Sequence, residues 1–135
     1  MSTLKVTNIQ DTSGNYSSTS AEIYDGRAKA WVEFNGTGTI AIRDDYNVST
    51  IGDNGAGDYT INFDTAMPNA NYAKSGASTL HAGGGWSTVY FDTKNASPYS
   101  HAPTASNFRI TTSYSGAASN TNDSSRVSVL VWSTG

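Results

Sequence analysis

The side chains able to carry chemistry are few and scattered. Only His81 and His101 could serve as histidine bases, and neither stands in the setting a nucleophilic serine or threonine needs. No Gly-x-Ser-x-Gly elbow is present, and serine is so abundant that a Ser beside a His is expected by chance. Paired carboxylates could hydrolyse glycosides, with Asp44, Asp45, Asp53, Asp58, Asp64 and Asp92 available. Most of these fall in turns. Asp53 and Asp58 flank Asn54-Gly55-Ala56-Gly57, where a hairpin wants turn formers, and glutamate occurs only as Glu22 and Glu33. The expectation is a non-enzymatic protein with no catalytic residues.

Metal and phosphate chemistry fare no better. The run Asp53 to Asp58 lacks the glutamate that closes an EF-hand calcium loop. Gly83-Gly84-Gly85 lacks the downstream lysine of a phosphate loop. One histidine per chain near a three-fold axis could build a three-histidine site from His81 or His101, but spacing points to none, so neither metal nor cofactor is expected. Surface recognition remains. Aromatic rings that stack on sugar faces, beside Asn, Asp, Ser and Thr that bond hydroxyls, suit a glycan surface. Trp86, Tyr90, Tyr99 and His101, in and around the later loops, are the candidate ligand-binding residues. The alternative for Trp86 and Tyr90 is a place in the core or at an interface.

Composition narrows the classes further. Charged residues make up 14% of the 135-residue chain, well below the roughly 25% of ordinary globular proteins. The aromatic and β-branched residues nevertheless lie in alternating runs, which points to order rather than disorder. A net charge of −3 with eight scattered Lys and Arg gives no footprint for nucleic acid. With no cysteine, stability must come from packing, hydrogen bonds or oligomerisation. No apolar stretch reaches the length of a bilayer-spanning helix, and Met1-Ser2-Thr3-Leu4 does not open like a signal peptide, so no membrane insertion is expected.

The elements that must position these residues are strands. Period-two alternation recurs through nearly the whole chain, and no segment carries a helical apolar stripe of useful length. In 28–34, Ala28, Ala30, Val32 and Phe34 share one face, leaving Lys29, Trp31 and Glu33 on the other, where Trp31 is either a subunit contact, the favoured reading, or a partly exposed aromatic. Asn35-Gly36-Thr37-Gly38 turns the chain into a hairpin with Thr39 to Arg43. A second hairpin joins Tyr46–Ile51 to Tyr59–Phe63, whose Tyr59, Ile61 and Phe63 face one way. Ala66-Met67-Pro68-Asn69 breaks the pattern and marks a change of sheet. Strands follow over 71–78, 86–93, 107–112 and 126–132, the last apolar enough to be central, with a long exposed loop over 94–106. Thr19 to Lys29 offers one short helical turn at most, with Thr19 or Ser20 as cap, Ile23 inward and Gly26 as stop. The expected fold is all-β, an antiparallel β-sandwich or jelly-roll-like domain over 26–135, preceded by an N-terminal assembly arm over 1–25 whose Leu4 to Ile9 has strand character.

The run 26–44, from Gly26-Arg27-Ala28-Lys29-Ala30-Trp31 to Ile42-Arg43-Asp44, resembles a module of marine and cyanobacterial phage structural proteins. Residues 47–51, 53–63 and 66–72 are similar to the same module, and Leu4 to Gly14 resembles its lead-in, so the likeness covers about the first half of the chain. It implies a tail-fibre or tail part of a virion that attaches to the host surface as a homotrimer; with the residue readings above, the expected partners are a host-surface glycan and, through the arm, other virion proteins. It brings no catalytic residues. The chain has neither a β-helical repeat nor a Gly-X-Y shaft, which points to a short fibre or tip, with capsid decoration as the alternative.

Overall fold

The structure, a computed structural model, describes residues 1–79, 87–114 and 120–134. A small hairpin, β1 (Asn8–Gln10) with β2 (Ser17–Thr19), leads into the helix α1 (Ser20–Gly26). Among the described residues eight strands follow: β3 (Ala30–Asn35), β4 (Ala41–Tyr46), β5 (Val48–Asp53), β6 (Asp58–Phe63), β7 (Ala73–Ser78), β8 (Thr88–Phe91), β9 (Asn107–Ser113) and β10 (Val127–Trp132). They form two antiparallel four-stranded sheets, a first of order β4-β3-β10-β7 and a second of order β5-β6-β9-β8. The fold is all-β, the sandwich form of the sequence expectation.

Alternation builds the core. Ala30, Val32 and Phe34 of β3 and Val127, Val129 and Val131 of β10 line the inner face of the first sheet. Opposite them lie Tyr59, Ile61 and Phe63 of β6 with Phe108 and Ile110 of β9. Phe34 meets Tyr59 edge to face across the sheets at 5.1 Å between centroids. Strand β10 is central, between β3 and β7, as its apolar run requires. The Tyr59 hydroxyl is 2.9 Å from Gly36 O and 3.0 Å from Asp123 Oδ1, and its single proton is shared between those acceptors. Burial, then the nearby Asp123 charge, pushes this phenol well above its ordinary range.

Glycine matters at two close approaches. A Cβ on Gly36 would stand 2.4 Å from the Tyr59 hydroxyl and 2.9 Å from Ser124 O. One on Gly57, where φ is +62°, would stand 2.5 Å from Asn122 N. Both turns were legible as turns, but what they press against was not.

Several local expectations change. The first hairpin pairs Asn35 with Ala41, so its loop is longer than a two-residue Asn-Gly turn. Asn35 closes it by donating from Nδ2 to Thr37 O at 2.7 Å and accepting from the Thr37 hydroxyl at 2.8 Å. The expected strand Tyr46–Ile51 is cut at Asn47, whose φ of +56° sends β4 to the first sheet and β5 to the second. Asn47 is held there because its side chain accepts from Thr65 N at 2.7 Å and donates toward Lys29 O and Thr65 O. The change of sheet around Pro68 is present as well, from β6 to β7.

Near the N-terminus, β1 is shorter than expected and leaves Leu4 and Val6 outside any strand. Helix α1 is longer than one turn, because Thr19 and Glu22 complete a capping box: Glu22 N donates to Thr19 Oγ1 at 3.1 Å and Thr19 N to Glu22 Oε2 at 2.7 Å. Ile23 is not inward but 45% exposed, since α1 buries none of its residues. Instead the Tyr24 ring is flanked by Lys29 and Arg27, with Lys29 Nζ 3.2 Å from its centroid.

Candidate functional site

The outer faces of the two sheets differ in character. On the second, Thr50, Thr60, Asn62, Asn107, Arg109 and Thr111 alternate outward and the face is polar. On the first, Trp31 stands directly opposite Leu130 on β10 and Tyr46 on β4, and Trp132 follows on the same side of β10. Tyr46 is 51% exposed and Leu130 37%, while Trp31 and Trp132 are half-buried. A shallow groove of about 210 Å³ runs here between Trp31, Leu130, Glu33, Asp44 and Ser128. Glu33 is engaged by Arg126 at 3.2 Å and Arg43 at 3.7 Å, so the charge beside the aromatic patch is largely balanced.

The segment after β8 is a largely exposed loop without regular strand or helix, as the prolines suggested, but it is folded back on itself. Thr93 pairs with Ser100, Lys94 N donates to Tyr99 O at 2.9 Å and His101 N donates to Asp92 O at 2.8 Å, so 92–101 folds as a flap. The backbone bonds explain why Pro98 is tolerated: it sits in the turn, where no ladder donor is required. The flap lies on the outer face of the second sheet. Thr93 and Thr111 hydroxyls meet at 2.9 Å, and Asn95 N donates to Asp58 Oδ2 at 2.8 Å.

Asp58, read from sequence as a turn former, is a fully buried carboxylate beneath this flap. It receives Arg109 Nε at 2.6 Å and Arg109 Nη2 at 2.9 Å, a bidentate pair. Asp53 does act in the turn, accepting from Gly55 N at 3.0 Å. Nothing in the local sequence pairs Asp58 with Arg109, because the contact exists only once β6 and β9 are in register.

Of the four residues picked from sequence, three lie on the flap or its parent strand. Tyr90 lies on β8 opposite Thr111, half-buried on the polar outer face. Tyr99 is 48% exposed at the flap's turn. His101 sits across from Asp92, half-buried. Trp86 lies outside the described residues, as do His81 and the three glycines at 83–85.

Lys74, which sequence reading passed over, sits at the flap's base beside Asp92, which it weighed only as one of several carboxylates. Lys74 on β7 places Nζ 2.9 Å from Asp92 Oδ2, with its side chain only 10% exposed. That nitrogen also lies over the Tyr72 and Phe108 rings, 4.6 Å and 5.6 Å from their centroids. The Tyr72 hydroxyl is bonded to Thr104 O and Asn107 O, and burial followed by the Asp92 charge pushes that phenol well above its usual range. The only sequence signal was a lysine where β7 otherwise carries small residues.

Among the described residues no three His, Asp or Glu side chains gather as metal ligands, and no helix is long and apolar enough to cross a membrane. Compared with family models, curated proteins and solved structures, the chain matches none.

Proposed function

We propose that this chain is a structural module of a bacteriophage virion, a short tail fibre or receptor-binding part that assembles as a homotrimer and works by binding rather than turnover. The observation that carries the reading is the aromatic outer face of the first sheet. A monomeric sandwich solvates its outer faces with polar residues, as the second sheet does, whereas Trp31, Tyr46, Leu130 and Trp132 give a contiguous apolar surface of the kind copies of a chain bury between them. The N-terminal segment supports the same reading. Leu4, Val6, Ile9, Tyr16 and Ile23 are exposed and α1 buries nothing, so 1–25 carries apolar side chains that a neighbouring virion protein would cover. Tyr99 on the flap, with Tyr90 and His101 as further candidates, is the surface offered to host glycan.

The test has two parts. Sedimentation equilibrium should give a trimer for the wild type and monomers for Trp31→Ser/Leu130→Ser with unchanged far-ultraviolet circular dichroism; a monomeric wild type at micromolar concentration would sink the assembly claim. Antibody labelling of intact particles should then mark the tail. Label on the head would move the protein to capsid decoration, and normal adsorption by Tyr99→Ala phage would remove that residue from the receptor surface.

A further inference from the structure

Among the described residues, two buried side-chain polar atoms lack a hydrogen-bond partner, Asp92 Oδ1 and His101 Nδ1. Interiors seldom leave such atoms unpaired. That both belong to residues facing each other across the flap makes one explanation preferable to two. Asp92 is further marked by its φ of +55°, a backbone conformation that costs energy for a residue with a side chain and collects at functional positions.

The other oxygen of the same carboxyl group is in contact with Lys74 Nζ. Lys74 belongs to the first sheet and Asp92 follows the last strand of the second, so the pair spans the sandwich at one side. Aromatic rings of Tyr72 and Phe108 wall the amine, and little solvent reaches it. A largely buried primary amine held against a carboxyl group is the reactant pair of an amide. We propose that Lys74 and Asp92 condense into an intramolecular isopeptide bond between Nζ and Cγ, covalently bracing the two sheets of a chain that has no cysteine.

The step balances without a co-reactant. A proton passes from the Lys74 ammonium to the Asp92 carboxylate across their contact. The free amine attacks Cγ, the N–C bond forms and the carbonyl opens to a tetrahedral centre. One proton then moves from nitrogen to the departing oxygen, the C–O bond breaks and water leaves. Fixed juxtaposition supplies the rate, since well-oriented intramolecular pairs reach effective molarities on the order of 10⁵–10⁸ M. His101 is the group assigned to relay that proton, since its backbone N donates to Asp92 O at 2.8 Å and its buried Nδ1 makes no other hydrogen bond. The brace is independent of the virion reading.

Denaturing mass spectrometry of the purified full chain tests this. The wild type should weigh one water less than its sequence requires. Trypsin should fail after Lys74 and yield one peptide spanning 44–94, also one water lighter, because no other Lys or Arg lies between Arg43 and Lys94. Lys74→Arg, which keeps the cation but cannot form this amide, should show the full mass and be cut after position 74. His101→Ala should give a mixture of linked and unlinked chains. A wild type of full mass that yields separate 44–74 and 75–94 peptides overturns the bond. So does a water loss that leaves cleavage after Lys74 intact, because it then lies elsewhere, as in an Asp-Gly succinimide. Complete linkage in His101→Ala overturns the relay.

Discussion

Replacing Asp58 by alanine isolates the buried ion pair beneath the flap. The carboxylate is fully buried and accepts three charge-assisted bonds, two from Arg109 and one from Asn95 N. Its removal leaves the guanidinium, only 20% exposed, without a counter-charge and frees the flap's anchor. Breaking one partner of such a pair costs about 3–5 kcal/mol, mostly as the penalty of the orphaned charge. For 135 residues the unfolding entropy near the midpoint is about 0.28 kcal/mol per kelvin, so the thermal midpoint should fall by about 10–18 °C. Urea unfolding followed by circular dichroism, at one protein concentration because assembly would shift the midpoint, measures the free energy directly. Glu33→Ala is the internal control: its partners are 37% and 63% exposed, and solvent screening limits the loss to about 1 kcal/mol. The double variant Asp58→Leu/Arg109→Met should recover much of the loss, since an apolar pair carries no desolvation penalty. An Asp58→Ala variant within about 1 kcal/mol of the wild type would refute the claim that this pair and its flap are closed in the folded state.

Two further outcomes follow from the core. Gly57→Ala should destabilise by more than about 2 kcal/mol, because a Cβ there meets the backbone of Asn122 and Thr112 at a position that already requires positive φ; a denaturation midpoint equal to the wild type would mean the turn can shift. Tyr59 and Tyr72 both ionise less readily when folded than when unfolded, so their contribution is fully present below the ordinary phenol value of about 10 and is lost as pH rises above it. Stability measured from pH 8 to 11.5 should therefore decline at the alkaline end, and Tyr59→Phe/Tyr72→Phe should flatten that decline; an identical slope in the double variant would exclude these phenols as its source.

What the sequence by itself determined is whatever repeats within a few residues. Alternation in 30–34, 59–63 and 127–131 predicted the strands and their buried faces, because a pleated strand has period two wherever it lies. Asn, Gly and Asp runs predicted both hairpins, and the Thr19-Ser20 pair marked where α1 begins, with Thr19 the cap in the structure, since turn and cap chemistry is local. Pro98 and Pro103 marked an exposed loop, which the segment is, but its pairing of Thr93 with Ser100 and the bond from Asn95 N to Asp58 Oδ2 that make it a flap were not legible. The sheet change at Asn47 was invisible for a similar reason: its positive φ is held by Lys29 and Thr65, which local sequence does not connect to it. Tertiary structure alone decided the charges. Asp58 looked like any hairpin aspartate until β9 brought Arg109 beside it, and Lys74 and Asp92 became a reactive pair only when two different sheets closed on one another. Burial and electrostatic pairing are properties of packed surfaces, and no period along the chain encodes which residues from distant strands will share a low-dielectric site.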